Sequence, residues 1–248
     1  MPRATTNVPA KANVTALADI RAQLAAEVAN IQEQIGKPSG NKIKIKDKTF
    51  GFPDGSLDEG PISLTIIDFV SRNKFYTGKF DPKNPAPPEC FAVGKNLKDM
   101  KPSANSPQPQ ASNCAECPNN QFGSDGRGKA CKNTRFLAVL PPDVTDPSAE
   151  LMTLEVSPTG IQRFDAMVNS VAKLYRKAPI EVSIDVGFDE RHDYDTLVFS
   201  NPQELTDEVV AAHFARRAEA EAILTAEPDF ATAPAKPAAR RAPTRKAA

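Results

Sequence analysis

The chain has 248 residues, no net charge, 40% hydrophobic and 6% aromatic residues, and no Trp. This composition allows one modest core with appended segments, but not a chain that is folded throughout. The N-terminal MPRATTNVPAKA lacks the apolar run of a signal peptide, and no segment is apolar for long enough to span a bilayer. We therefore expect a soluble protein of a reducing compartment, with no membrane partner.

Charge is segregated along the chain. Residues 71–135 hold eleven Lys or Arg and five acids, whereas residues 181–208 hold nine acids and one Arg. The final AKPAARRAPTRKAA carries five cations and no acid. A chain polarised in this way can attract a polyanion to one region while it stays neutral overall.

The N-terminal part is predicted to be a disordered tail over residues 1–13 and a helix over residues 14–36. Apolar side chains recur in this segment at spacings of three and four, and Gly36 and Pro38 follow. The helix either packs on its own domain or forms a short seam between copies of the chain, which would make the protein a homo-oligomer.

Strands are predicted after this helix. In KIKIK the Ile residues alternate with Lys, as in a half-buried strand. Residues 61–80 are rich in β-branched and aromatic residues and are predicted to form two strands, with a turn or bend at residues 71–73. Further strands are expected around Cys90–Val93 and over residues 135–140 and 151–156.

The spacing of apolar residues changes from that of a strand to that of a helix at residue 157. Residues 157–178 are predicted to form a helix that begins with Ser157-Pro158 and is stopped by Pro179. A hairpin of IEVSIDVGF and DTLVFS follows, then a C-terminal helix over residues 203–227. Residues 228–248 are predicted to be a disordered basic Ala/Pro tail.

This order predicts a mainly β protein with flanking helices, of the α+β class. A helix between the third and fourth strands of a five-stranded β unit is the layout of an OB-fold. We therefore expect an OB-like barrel over residues 41–202, with an insertion at residues 90–131. A different small α+β sheet domain would give the same order of elements.

All four cysteines lie in or beside the insertion, with the spacing C-x23-C-x2-C-x13-C: Cys90, Cys114, Cys117 and Cys131. Two thiolates separated by two residues can bind one ion, and two more complete a closed site for structural Zn²⁺. The alternatives are disulfides, which a reducing compartment disfavours, free structural thiols, or a redox CxxC. A closed ligand set leaves no position for catalysis by the metal.

Cations interleave with aromatic residues in SRNKFYTGKF and in the cysteine loop, a pattern suited to phosphates and unstacked bases. For each residue the alternative is an ordinary solvated or core position. The predicted nucleic-acid contacts are Arg72, Lys74, Tyr76, Lys79, Phe122, Arg127, Lys129, Lys132 and Arg135.

The motifs FGFPDG, IIDFVSRNKFY, FDPKNPAPPECFAVG and C-x-x-CPNNQFGS…GKACKN resemble those of tailed-phage and prophage single-stranded-DNA-binding or replication-associated proteins. The resemblance covers residues 41–200. It implies an OB-type core that coats single-stranded DNA during phage replication or recombination in the bacterial cytoplasm, with replication or recombination proteins as partners. Many replicative single-strand binders end in an acidic tail, whereas this chain ends in a basic one, which argues against recruitment of partners by the tail.

The alternative function is that of a zinc-containing phage structural or adaptor protein that acts through protein–protein contacts. No enzyme is predicted, because the chain has no HExxH motif and its GSDGRGK lacks the GK[ST] ending of a phosphate-binding loop. The acids of residues 185–195 could hold Mg²⁺, but a solvated hairpin explains them better.

Overall fold

The computed structural model describes residue 20, residues 41–78 and residues 86–227. It divides into two compact units, Met1–Asn41 and Lys42–Ala248, and the sheet with its flanking helices belongs to the second unit. Residue 20 is helical. The rest of the predicted helix 14–36, the predicted tails 1–13 and 228–248, and Lys79 lie outside the described residues, so those predictions stay untested.

The described part of the second unit contains nine strands and three α-helices. The strands are β1 (Lys42–Lys46), β2 (Thr49–Gly51), β3 (Leu57–Asp58), β4 (Ile62–Phe75), β5 (Cys90–Gly94), β6 (Cys131–Leu140), β7 (Met152–Val156), β8 (Val182–Phe188) and β9 (Leu197–Glu204). The helices are α1 (Ile161–Ser170), α2 (Asp207–Ala215) and α3 (Arg217–Thr225). None of these helices is long and apolar enough to cross a membrane.

The strands form one curled, half-barrel sheet in the order β3-β2-β1-β7-β6-β4-β8-β9, and β5 pairs with β4. Neighbouring strands are antiparallel, except that β1 runs parallel to β7. The predicted mainly β fold with flanking helices is therefore confirmed at this level.

β4 is the longest strand and contacts three others. Its first residues pair with β8, its last five pair with β5, and β6 lies along its other side. Phe75, the final residue of β4, has Cys90 on one side and Cys131 on the other. The end of β4 thus brings together two cysteines that are far apart in sequence.

The two faces of the sheet carry different cores. On the inner face, α1 packs against the sheet through Phe164, whose ring meets those of Phe69 and Phe199 edge-on at 5.0 and 5.4 Å. On the outer face, α3 buries Ala220 and Leu224 against residues of β4 and β6. Since α3 covers only part of the outer face, the remainder is open for polar side chains.

Two predicted helices have different bounds in the structure. The helix predicted over residues 157–178 is α1 followed by a π-helical turn at Val171–Tyr175. The single helix predicted over residues 203–227 is divided into α2 and α3 in the structure. It also begins later than predicted, because β9 continues to Glu204. Thr206 then caps α2, its hydroxyl accepting a hydrogen bond from the amide of Val209.

Candidate functional site

The structure brings all four cysteines to one small cavity at the end of β4. Cys90 opens β5, Cys131 opens β6, and Cys114 and Cys117 come from the loop between these strands. The cavity measures about 20 Å³, and the four thiols are free, three of them buried and Cys90 half-buried. Such a volume is close to that of a single water-sized sphere, and the four cysteines are among the residues that line it.

Side-chain amides hold the Cys-x-x-Cys turn in shape. Asn120 donates from Nδ2 to the carbonyl of Cys114 at 2.7 Å, and Gln121 donates from Nε2 to the carbonyl of Cys117 at 3.2 Å. Asn133 of β6 in turn donates to Oδ1 of Asn120 at 2.9 Å and to Oδ1 of Asn73 at 2.7 Å. The PNNQ sequence after Cys117 therefore fastens the loop to the sheet, a role that the sequence analysis did not assign.

The thiols interact with one another electrostatically. Burial, together with the nearby sulfurs of Cys114, Cys117 and Cys90, raises the pKa of Cys131 to about 12, and burial also raises the pKa of Cys114. Within the described residues, no group of three or more His, Cys, Asp or Glu side chains has the arrangement of a formed metal site. Four thiols are the donor set of a closed structural Zn²⁺ site, but in this structure they are not arranged as a group that could hold the ion.

A tight turn at the tip of the cysteine loop exposes an aromatic ring beside cations. Phe122 is 83% exposed, and Nζ of Lys129 lies 5.0 Å from its ring centroid. Gly123 and Gly126 adopt φ values of 93° and 61°, which favour glycine, and the turn carries the exposed Arg127. This end of the loop can thus present a ring and two cations to solvent together.

The loop is joined to the outer face of the sheet by Lys132. Its Nζ lies 3.0 Å from Oδ2 of Asp125 and 3.1 Å from the carbonyl oxygen of Lys129. On β4, Lys74 is the residue directly opposite Lys132. We use the term basic–aromatic surface for the set Lys74, Tyr76, Phe122, Arg127, Lys129 and Lys132.

Glu155 of β7 binds two lysines at the edge of this surface. Its carboxylate oxygens lie 2.9 Å from Nζ of Lys74 and 3.0 Å from Nζ of Lys42, and Thr134 donates its hydroxyl at 3.0 Å. Burial disfavours the charged carboxylate, but the two ammonium groups outweigh it and lower the pKa of Glu155 to about 2. Lys42 and Glu155 were missed by the sequence analysis, although the alternation in KIKIK places Lys42 on the outer face.

Tyr76 follows β4 directly and is 39% exposed. Its pKa is raised, first by partial burial and then by the negative charges of Glu155 and Glu89. The side chain is thus partly accessible to a ligand, and its hydroxyl stays protonated at neutral pH.

Two of the predicted arginines are engaged within the fold. Arg72 donates from Nη2 to the carbonyl of Leu224 in α3 at 3.0 Å and lies 3.5 Å over the ring of Phe136; burial lowers its pKa to about 10. Arg135 is 6% exposed and donates from Nε and Nη2 to both oxygens of Asp165 in α1, at 3.1 and 2.8 Å. In this structure Arg72 thus binds α3 to the sheet and Arg135 binds α1 to the sheet, and neither is part of the basic–aromatic surface.

The acids of the β8–β9 hairpin do not converge. Asp189 binds the guanidinium groups of Arg163 and Arg191, Asp185 accepts from the amide of Asn201, and Asp195 accepts from the backbone N–H of Lys48. Each of these carboxylates has a different partner, so a Mg²⁺ site in the hairpin gains no support.

Comparison with known proteins gives no relative from which a function could be transferred. No protein-family model matches the chain, and no curated protein and no solved structure matches it.

Proposed function

We propose that this protein binds single-stranded DNA with little sequence preference, as a coating protein in phage DNA replication or recombination in the bacterial cytoplasm. One observation carries the proposal: Phe122, beside Lys129, is almost fully exposed on a turn that Lys132 joins to the sheet. An exposed ring stacks on any unpaired base, and fixed cations beside it attract phosphates. No step of bond making or breaking is proposed, so the protein acts as a binder and not as an enzyme.

The strand order supports an OB-type core. If β4, β6, β7, β8 and β9 are taken as the five strands, the first lies between the second and the fourth, and α1 connects the third to the fourth. OB-folds bind oligonucleotides on the face of strands two and three and with the loop between strands one and two. Here these are the β6–β7 face, with Lys132 and Glu155, and the cysteine insertion, with Phe122.

We also propose that Cys90, Cys114, Cys117 and Cys131 hold one structural Zn²⁺. The support is that the four thiols share one cavity of about 20 Å³, as four soft donors suited to zinc. Bound zinc would supply a cross-link between β5, β6 and the loop. The residues of the insertion contribute few buried apolar side chains, so such a cross-link would fix the turn that carries Phe122.

Fluorescence anisotropy with a labelled oligo-dT, at several salt concentrations, tests the proposed function. Single strands should bind more tightly than duplex, because a duplex hides the base faces. The double variant Lys74→Gln/Lys132→Gln should reduce the salt dependence, since each lost phosphate contact removes roughly 0.7 from the slope on a single strand.

The matched control is Lys173→Gln/Arg176→Gln, which removes two exposed cations from the segment after α1. If both double variants reduce the salt slope equally, the outer face of the sheet has no special part in binding. No binding at low salt, or equal affinity for duplex and single strand, would favour an adaptor that acts through protein contacts.

A further inference from the structure

A row of three lysines lies on the outer face of β1. Ile43 is 1% exposed and Ile45 packs on the same inner core. Because side chains alternate along a strand, Lys42, Lys44 and Lys46 all lie on the opposite, outer face. Lys44 and Lys46 are exposed, and 87% of the Lys46 side chain is accessible.

The two halves of β1 pair with different strands. β7 pairs with β1 at Lys42 and Ile43, whereas β2 pairs with it at Lys44, Ile45 and Lys46. Lysines on an edge strand also prevent pairing with other chains. Edge protection alone would leave the salt dependence of oligonucleotide binding unchanged when Lys44 and Lys46 are replaced, so the experiment below separates that role from nucleic-acid binding.

The row is continuous with the basic–aromatic surface. Lys42 and Lys74 share the carboxylate of Glu155, at 3.0 and 2.9 Å. At the other end of the row, the backbone N–H of Lys48 donates to Oδ1 of Asp195 at 2.8 Å, which holds the β1–β2 turn against the β8–β9 hairpin.

Lys46 has only a weak ion pair. Its nearest acid is Asp47 at 3.8 Å, and both side chains are well exposed, so this pair contributes little to stability.

The spacing of the row suits a polyanion in extended form. Alternate residues of a strand lie roughly 6.6 Å apart, which is comparable to the distance between successive phosphates of an extended single strand. The positive charge of the lysines and their spacing along β1 both suit a ligand that carries phosphates at regular intervals.

We propose that the lysine row on β1 extends the nucleic-acid site, taking the sugar–phosphate backbone of a single strand as it leaves the basic–aromatic surface. This inference rests on the proposed function. The site then has two parts, an aromatic part that holds bases at the cysteine loop and a phosphate-binding part along β1. Short oligonucleotides fill the first part, and longer ones reach the second.

The test uses the full-length protein and two labelled oligo-dT probes, of about 4 and about 15 nucleotides, within the range of OB-fold site sizes. The variant is Lys44→Gln/Lys46→Gln, which spares Lys42 because its loss would leave Glu155 with one fewer cation. On the long probe the salt slope should fall by about 1.4, at roughly 0.7 per phosphate. On the short probe the variant should match the wild type.

The control Lys173→Gln/Arg176→Gln removes the same charge and should leave the slope on the long probe unchanged. If the row variant and this control behave alike on the long probe, the extension is wrong. If the row variant behaves like the control but Lys74→Gln/Lys132→Gln still weakens binding, the extension is wrong and the proposed function stands. If the wild type binds neither probe, both proposals fail.

Discussion

Lys74 on β4 and Lys132 on β6 lie directly opposite each other in the sheet. Like charges in this position destabilise a sheet, and the structure compensates each one separately, Lys74 with Glu155 and Lys132 with Asp125. Each lysine therefore has a carboxylate partner at the outer face of the sheet. If the proposed single strand binds here, its phosphates would replace these carboxylates as partners of the two lysines.

Glu155 makes the stability of the protein sensitive to acid. Its pKa of about 2 is below the ordinary value for a glutamate, since Lys74 and Lys42 offset the cost of burial. The lowered pKa means that the stabilisation is present above about pH 4.3 and is lost as the pH falls toward 2. Urea unfolding should show Glu155→Gln to be less stable than wild type at neutral pH, by about 2 kcal/mol.

The difference between wild type and Glu155→Gln should shrink when unfolding is measured near pH 3. A difference that is constant from neutral to acid pH would show that the carboxylate contributes no charge-dependent stability. Thr134→Val serves as a control, because it removes the uncharged hydrogen bond to Glu155 and leaves both ion pairs.

Arg135 and Lys132 should give opposite phenotypes although they are three residues apart. Arg135→Ala removes two charge-assisted hydrogen bonds to Asp165 and one to Ser71. We expect the free energy of unfolding to drop by about 1–3 kcal/mol, with an unchanged salt slope for oligo-dT. Lys132→Gln should lower the slope and leave unfolding nearly unaffected. Loss of slope in a folded Arg135→Ala protein would place Arg135 in the binding surface after all.

The exposed rings should contribute affinity without contributing salt dependence. Tyr76→Ala and Phe122→Ala should each weaken binding of oligo-dT by roughly 1–3 kcal/mol, the usual value of one base–aromatic stack. Tyr194→Ala is the matched control, since Tyr194 is also exposed but stacks on His192 in the β8–β9 hairpin. If Phe122→Ala and Tyr194→Ala bind equally well, the ring of Phe122 takes no part.

Zinc content can be measured directly. The purified protein should contain about one Zn²⁺ per chain, and Cys117→Ser should reduce this content and expose the insertion to protease. The cleavage sites should fall between residues 95 and 130, with the sheet left intact. A metal-free wild-type protein whose insertion resists protease as well as the zinc-loaded form would rule out the structural role.

Local patterns predicted the elements better than their partners. The alternation in KIKIK corresponds to β1, and the β-branched run of residues 61–80 contains β4. The turn predicted at residues 71–73 is wrong, because β4 continues through these residues while it pairs with β5 and β6. No periodicity, however, indicates that β1 joins β7 in parallel, because that pairing depends on residues more than a hundred positions apart. The break between α2 and α3 at Arg216 was also missed, since the Ala-rich sequence favours helix on both sides.

The candidate site was predicted by charge and composition, and these do not say which side chains the fold already uses. Side chains alternate between the two faces of β6, so that Arg135 lies on the inner face with Leu137 and Val139. The inner face is covered by α1, and α3 packs on the residues of the outer face. Arg135 is therefore next to α1 rather than in solvent. Lys132 lies before the covered part of β6 and is half exposed, with 51% of its side chain accessible. Counting charges along the sequence cannot distinguish these two environments.

The long central strand has a consequence for how the chain reaches this structure. β4 and β6 form a principal pair of the sheet, yet residues 76–130 separate them, so their association must close a long loop at an entropic cost. Pairing of β5 with β4 shortens that loop, and a metal that joins Cys90 to Cys131 would shorten it further. Ion capture would then govern the rate of refolding as well as stability, and chelator added before dilution from denaturant should slow it.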